Sequence, residues 1–131
     1  MVKVVLMFLL AMTCTSAIAK WTKVGEYSQG VKFVNLANIQ KDDNLVKMWI
    51  LSDYKFTQHS IHNKRLFMST ESQIEFNCED ETSRILSITN FSGNKGKGEV
   101  VYSNAYFHNK WSPIISASIE KREWNIACDR H

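Results

Sequence analysis

Short runs in which apolar and polar residues alternate, separated by turn residues, dominate the chain from residue 21 onward. An alternation with a period of two is typical of antiparallel strands that bury one face. The pattern predicts about six strands, at residues 21–27, 31–37, 44–54, 65–78, 84–91 and 99–107. The third of these runs is apolar on both faces, which predicts a strand at the centre of the sheet.

The period of the pattern changes after residue 113. Ile115, Ile119 and Ile126 share one helical face, and Ser116 is the predicted N-cap of this helix. The predicted fold is therefore α+β. It is an antiparallel sheet of about six strands, with one C-terminal helix of about three turns packed on it.

Residues 1–19 have the organisation of a secretory signal peptide. Lys3 supplies a positive charge, an unbroken apolar run follows, and Ala17 and Ala19 place small residues before the predicted cleavage site. The apolar run is shorter than the roughly 20 residues that a membrane span needs. The alternative for it is a buried N-terminal strand or helix. Residues 20–131 are predicted to form a single domain without a transmembrane segment.

The first of the three cysteines, Cys14, lies within the predicted signal peptide. Thr13 fits a lipoprotein processing site poorly, so we predict that Cys14 carries no lipid anchor. An exported protein of this kind is expected in the periplasm, on the outer-membrane surface or outside the cell.

The other two cysteines, Cys78 and Cys128, end a predicted strand and the predicted helix. A disulfide between them would attach the helix to the sheet and contribute about 4 kcal/mol of stability. We predict this disulfide; two free thiols are the alternative.

The composition places the protein among folded domains but leaves its partner open. Hydrophobic residues make up 44% of the chain and charged residues 22%, a balance that excludes a disordered protein. The formal net charge of +3 is too small to favour nucleic acid as a partner.

No arrangement of residues in the sequence predicts catalysis or metal binding, and no cofactor is expected. The chain has neither a G-x-S-x-G motif nor a paired Cys and His. Glu71 and Glu75 are predicted to be solvated side chains, not a carboxylate pair for glycoside hydrolysis. His59 and His62 lie in a predicted polar loop without a nearby carboxylate, so we predict no metal site. The GNKGKG segment, residues 93–98, lacks the phosphate-binding pattern and is predicted to be a flexible hairpin loop.

The candidate contact surface for a protein partner consists of the exposed face of the sheet, the loop at residues 54–64 and the hairpin loop at residues 93–98. Aromatic residues are frequent in protein interfaces, and the lysines of residues 93–98 could contact an acidic partner. The candidate residues are Tyr54, Lys55, Phe56, His59, Lys64, Lys95 and Lys97.

Several short motifs follow one another in a recognisable order along residues 20–131. They are residues 48–54 (MWILSDY), Ser69, residues 74–78 (IEFNC), residues 96–101 (GKGEVV), Trp111, Pro113 and Cys128. In this order they resemble the surface-adhesin protein E-like family of small exported bacterial proteins. The resemblance implies an antiparallel sheet, a C-terminal helix and a disulfide that joins them. It also implies binding of host matrix proteins, as expected of the founding adhesins.

We therefore predict an exported, non-enzymatic binding protein that resembles surface-adhesin protein E and contacts a host-matrix or envelope protein. The first alternative is a periplasmic interaction or inhibitor module. The second alternative, from another class, is a small exported hydrolase. The sequence leaves the oligomeric state open.

Overall fold

The structure is a computed structural model that describes residues 21–106 and 110–130. The predicted signal peptide, Cys14, Phe107, His108 and His131 lie outside the described residues.

In the described residues, one antiparallel sheet contains eight strands. They are β1 (Trp21–Tyr27), β2 (Gly30–Asn35), β3 (Gln40–Asp42), β4 (Leu45–His59), β5 (Leu66–Asn77), β6 (Thr82–Phe91), β7 (Val100–Ala105) and β8 (Ser112–Pro113). The main path runs β1-β2-β4-β5-β6-β7, with β3 paired to β4 and β8 paired to β6. The six predicted strands and the central position of β4 are confirmed. The two short strands β3 and β8 were not predicted, because two or three residues are too few to show a period.

The central strand is longer than its apolar pattern indicates. β4 continues past Tyr54 to His59, because β5 still pairs with it there, with Gln58 opposite Phe67 and His59 opposite Leu66. The register shifts between Asp53 and Gln58, and this irregularity interrupts the alternation that sequence reasoning relies on. The predicted loop after β4 therefore begins one residue later than expected, at residue 60.

One face of the sheet carries the hydrophobic core, and we call it the helix face. Val46, Met48 and Ile50 alternate along β4 onto this face, where the C-terminal helix α1 (Ile119–Ala127) covers them. Trp124 of α1 packs into the same cluster, and its indole Nε1 donates a 2.9 Å hydrogen bond to the backbone oxygen of Asn77. The opposite face of the sheet is called the open face.

The helix begins later than the sequence pattern predicts. The N-cap is Ser118, whose Oγ accepts a 3.1 Å hydrogen bond from the backbone nitrogen of Lys121. The predicted N-cap, Ser116, is wrong because Ala117 has a φ of 61°, a left-handed conformation that a right-handed helix does not contain. The three isoleucines therefore do not share one helix, since Ile115 precedes it.

A disulfide joins Cys78, directly after β5, to Cys128, directly after α1. The two Cα atoms lie 5.5 Å apart. The predicted bond is therefore confirmed, and the alternative of two free thiols is wrong. Across residues 21–106 and 110–130, no helix has the length and apolar content that crossing a bilayer requires.

A carboxyl group is buried where α1 meets the sheet. Glu123 is 2% exposed, and its Oε1 has no hydrogen-bond partner among the described residues. Burial raises the pKa of Glu123 to about 7, an effect that the charge of Lys32 opposes and nearby Glu120 reinforces. The Lys32 ammonium itself donates a 2.7 Å hydrogen bond to Ser52 Oγ.

Candidate protein-binding surface

The end of the β4–β5 hairpin, residues 55–66, is called the hairpin tip. Pairing of β4 with β2 ends at Tyr54, and pairing of β5 with β6 ends at Ser69. Beyond these two points the strands of the hairpin pair with each other as a two-stranded ribbon. The tip is therefore an extension of the sheet in which both strands are edges.

The turn of the hairpin tip is held by its own hydrogen bonds. The backbone nitrogen of Ser60 donates to the oxygen of Arg65 at 2.8 Å, and Lys64 donates to the oxygen of Ser60 at 2.9 Å. Asn63 accepts a 3.1 Å bond from the Arg65 nitrogen, and its own amide donates to the oxygen of Val101 in β7 at 2.8 Å. These bonds fix the shape of the tip against the rest of the sheet.

Large apolar side chains of the hairpin tip face solvent. Phe56 is 68% exposed, Ile61 is 90% exposed and Leu66 is 53% exposed. Each exposed apolar side chain alone is ordinary, but three on one short hairpin form a concentration of exposed apolar surface.

The charges of the hairpin tip have one sign. Between Asp53 and Glu71 the chain carries Lys55, Lys64 and Arg65 and no carboxylate. The ion pair of Arg65 Nη2 with Glu99 of the neighbouring segment is 3.6 Å long, and both side chains are largely exposed. Such a pair is weak, so the tip presents a cationic surface around its apolar residues.

Four of the predicted contact residues lie together on the hairpin tip. Lys55, Phe56, His59 and Lys64 are all exposed there. Tyr54 lies at the base of the tip and is half-buried on the helix face. Its hydroxyl lies 3.3 Å from Thr70 Oγ1, to which it donates, and its ring meets the Phe67 ring edge to face at 5.8 Å.

The other two predicted residues, Lys95 and Lys97, lie on a segment that folds back onto the open face. Asp53 Oδ1 accepts 2.9 Å hydrogen bonds from the Asn94 side chain and the Lys95 backbone nitrogen. Ser69 Oγ donates to the oxygen of residue 93 at 2.6 Å and accepts from the nitrogen of residue 96 at 2.9 Å. Residues 93–98 thus form a turn anchored to β4 and β5, with Lys95 in a left-handed conformation, which differs from the predicted flexible loop.

The structure therefore divides the predicted residues between two faces of the sheet. Asp53 and Tyr54 are neighbours in β4, so their side chains point to opposite faces. Lys95, anchored through Asp53, lies on the open face beside Trp21, Phe33 and Leu51. Tyr54 lies on the helix face.

Sequence reasoning missed Ile61, Arg65 and Leu66, which the structure places on the hairpin tip. The signal that could have found them is the absence of carboxylates between residues 53 and 71. Apolar residues inside a polar, basic loop are a second signal, because a loop with no surface role has little reason to carry them.

Glu71 and Glu75, the carboxylates considered for glycoside hydrolysis, are both at least half-buried in the structure. Glu75 is buried, not solvated as predicted, and its Oε1 lies 2.6 Å from Arg84 Nη2 and 2.8 Å from Arg84 Nε. The Arg84 guanidinium also lies over the Trp111 ring, 4.4 Å from its centre. Glu71 is half-buried, and desolvation raises the pKa of its carboxyl. Within the described part of the chain, no group of three or more His, Cys, Asp or Glu residues could hold a metal ion.

Comparison with known proteins identifies relatives of this chain. The family model for surface-adhesin protein E matches residues 21–129. A structure of Haemophilus influenzae protein E superimposes with a TM-score of 0.60 at 13% identity, covering 88% of each chain. Protein E from non-typeable Haemophilus influenzae gives a TM-score of 0.56 at 11% identity, covering 88% of this chain and 76% of that one. No curated protein matches the sequence.

The structural likeness at these low identities shows a shared fold, with an antiparallel sheet and a C-terminal helix. The family model adds the sequence relationship, because it spans the sheet, the helix and both bonded cysteines. The chain belongs to the surface-adhesin protein E family.

Proposed function

We propose that this chain is an exported, non-enzymatic domain that binds a host-matrix or envelope protein through the hairpin tip. Membership of a surface-adhesin family supports an adhesin-like role. The observation that carries the proposal is the set of three exposed apolar side chains, Phe56, Ile61 and Leu66, on a hairpin whose turn is held by hydrogen bonds.

The geometry of the hairpin tip suits a protein partner. Buried aromatic and aliphatic anchors contribute most of the binding energy of protein interfaces. A hairpin that already has its bound shape loses little conformational entropy when it binds. The Phe56 side chain is the strongest anchor candidate, since it is the one exposed aromatic ring of the predicted residues.

The charge of the hairpin tip selects among partners. Lys55, Lys64 and Arg65 favour a partner with an acidic surface, and such complementarity mainly speeds association. Lys95 and Lys97 are cations on the open face and would contact a second region of a large partner. The affinity should therefore fall when the salt concentration rises.

The binding experiment uses the exported chain, purified after secretion and immobilised. It is exposed to a panel of purified extracellular-matrix proteins and, separately, to purified envelope proteins. The tip variant replaces Phe56→Ser and Leu66→Ser together. The control variant replaces Leu36→Ser and Ile115→Ser, which are exposed apolar residues outside the tip.

We expect the tip variant to lose roughly tenfold or more in affinity while the control variant binds like the parent protein. Circular dichroism and thermal melting check that both variants fold. If the tip variant binds as tightly as the parent protein, the hairpin tip is not the binding surface. Failure to bind any member of either panel would contradict the proposed function.

The location of the domain separates the leading function from the periplasmic interaction or inhibitor module. Protease added to intact cells should release or cleave a surface-displayed domain. Complete protection of the domain in intact cells, with cleavage after the outer membrane is opened, would favour the periplasmic alternative.

A further inference from the structure

A pocket of about 230 Å³ opens on the helix face between the sheet and the hairpin tip. We call it the tyrosine pocket. Its floor is formed by Thr70 of β5 and Asn90 of β6, which are directly paired and both buried. Its walls are aromatic rings from β4, β5, the hairpin tip and the end of β7: Tyr54, His62, Phe67, Tyr102 and Tyr106.

The aromatic walls are held in place by contacts with one another. The His62 ring stacks on the Tyr102 ring, with centres 4.2 Å apart and an interplanar angle of 6°. The adjacent Asn63 side chain donates to the backbone oxygen of Val101, so the hairpin tip is fastened to β7 at this point. The pocket is therefore preformed, which reduces the entropy lost when a ligand binds.

The polar floor has hydrogen-bonding capacity that the protein does not use. The Tyr54 hydroxyl donates to Thr70 Oγ1 at 3.3 Å, and Thr70 donates to Asn90 Oδ1 at 2.8 Å. This chain of bonds occupies the acceptor oxygen of the Asn90 amide. The Asn90 amide nitrogen, with two N–H donors, makes no hydrogen bond to a described residue. Because Asn90 lines the pocket, these N–H donors are available to a ligand that brings an acceptor.

The lining of the tyrosine pocket excludes several ligand classes. Among the described residues it contains no Lys, Arg, Asp or Glu, and its titratable groups are the rings of His59, His62 and three tyrosines. A phosphate or carboxylate ligand would therefore lack the permanent opposite charge that an Arg or Lys supplies. Pockets for drug-sized ligands have volumes of about 300–1,000 Å³. The smaller volume here suits a neutral ligand of one ring.

We propose that the tyrosine pocket binds a neutral pyranose ring, such as the terminal sugar of a glycan. A pyranose presents a C–H face that packs against aromatic rings and a rim of hydroxyls that donate and accept hydrogen bonds. The Asn90 amide donates to a sugar hydroxyl. The Tyr102 and Tyr106 hydroxyls, 3.4 Å apart, supply further donors and acceptors at the mouth of the pocket. The pocket shares Ile61 and its neighbours with the hairpin tip, but Phe56 and Leu66 do not line it, so the two proposals can be tested separately.

The test titrates the ¹⁵N-labelled exported protein with methyl pyranosides of glucose, galactose, mannose and N-acetylglucosamine. Cyclohexanol is the ligand control, because it has a six-membered ring but a single hydroxyl. We expect at least one pyranoside to shift the amide signals of Thr70, Asn90 and Tyr102, and we expect cyclohexanol to shift none of them. A site built to bond hydroxyls discriminates strongly against a ligand that lacks them.

Two variants test the named residues. Asn90→Asp keeps the acceptor for Thr70 but removes the free N–H donors, and Tyr102→Leu removes a wall of the pocket. Each should weaken pyranoside binding roughly tenfold or more. Tyr27→Leu is the matched control, because Tyr27 does not line the pocket. Dispersed amide spectra check that each variant is folded.

Three results would overturn the assignment. The first is the absence of any shift with all four pyranosides, and the second is binding of cyclohexanol as tight as that of the best pyranoside. The third is an equal loss of affinity in the Tyr27→Leu control. The hairpin-tip variant with Phe56→Ser and Leu66→Ser should still bind the sugar, so failure of this inference and failure of the proposed function are distinguishable.

Discussion

The buried Glu123 carboxyl should make the stability of the protein fall as the pH rises. In the folded protein its pKa is raised to about 7, whereas the ordinary pKa of a glutamate in an unfolded chain is 4.5. The folded state therefore holds a proton between these two pH values that the unfolded state has lost. The stability from this proton is fully present below pH 4.5 and is lost as the pH rises through about 7.

The expected size of this effect follows from the difference between the two pKa values. One pKa unit corresponds to about 1.4 kcal/mol, so the loss of stability attributable to Glu123 is about 3 kcal/mol between pH 4.5 and pH 8. Glu71 contributes a change in the same direction, because desolvation also raises the pKa of its carboxyl. The substitution Glu123→Gln removes the contribution of Glu123 to the pH dependence and leaves that of Glu71.

The assay is urea unfolding at several pH values from 4.5 to 8, for the parent protein and for Glu123→Gln. The slope of the free energy of unfolding against pH is the quantity compared, because glutamine also adds a pH-independent cost of burying an amide. Glu26→Gln is the control. The hydrogen bond from Lys23 lowers the pKa of the Glu26 carboxyl, a shift opposite in direction to that of Glu123, so Glu26 does not contribute to a downward slope.

We expect the Glu123→Gln variant to lose most of the downward slope and the Glu26→Gln variant to keep it. Equal slopes for the parent protein and Glu123→Gln would refute the reasoning. Such a result would mean that Glu123 ionises as easily in the folded protein as in the unfolded chain.

Three further variants test other parts of the fold. Cys78→Ser with Cys128→Ser should lower the free energy of unfolding, measured by urea unfolding, by about 4 kcal/mol. A loss below about 1 kcal/mol would contradict the stabilising role of the disulfide. Met48→Ala should cost about 3 kcal/mol by leaving a cavity under α1, measured in the same assay; a near-neutral result would place Met48 outside the core. Asp53→Ala should release residues 93–98, so that hydrogen exchange at the Lys95 amide becomes faster; unchanged exchange would show that Asp53 does not anchor the segment.

The layout of the fold follows from the sequence pattern because it depends on local periodicity. Alternation along residues 21–27 locates β1, and the run at residues 44–54, which is apolar on both faces, locates the first part of β4. The disulfide has a different basis: once Cys14 is assigned to the predicted signal peptide, two cysteines remain, and their number indicates that they pair. Ser116 was predicted as the N-cap because a serine before an apolar run resembles one. The prediction fails because Ala117 is left-handed in the turn that follows β8.

The candidate site depends on contacts between residues that are distant in the chain. The pattern of residues 93–98 indicates a mobile loop, and only the approach of Asp53 and Ser69 turns it into an anchored segment. The burial of Glu75 also depends on a contact between strands, its ion pair with Arg84. Alternation alone places both residues on a polar face.

Residue types along the chain were sufficient for the strand succession and the α+β class, because neighbours in sequence carry those signals, and the number of cysteines indicated the disulfide. Tertiary packing decided which predicted contact residues share a face, which carboxyl groups are buried, and where aromatic rings enclose a pocket. The physical reason is that burial and hydrogen bonding at these places are properties of pairs such as Thr70 and Asn90. The composition of β5 alone, or of β6 alone, does not reveal such pairs.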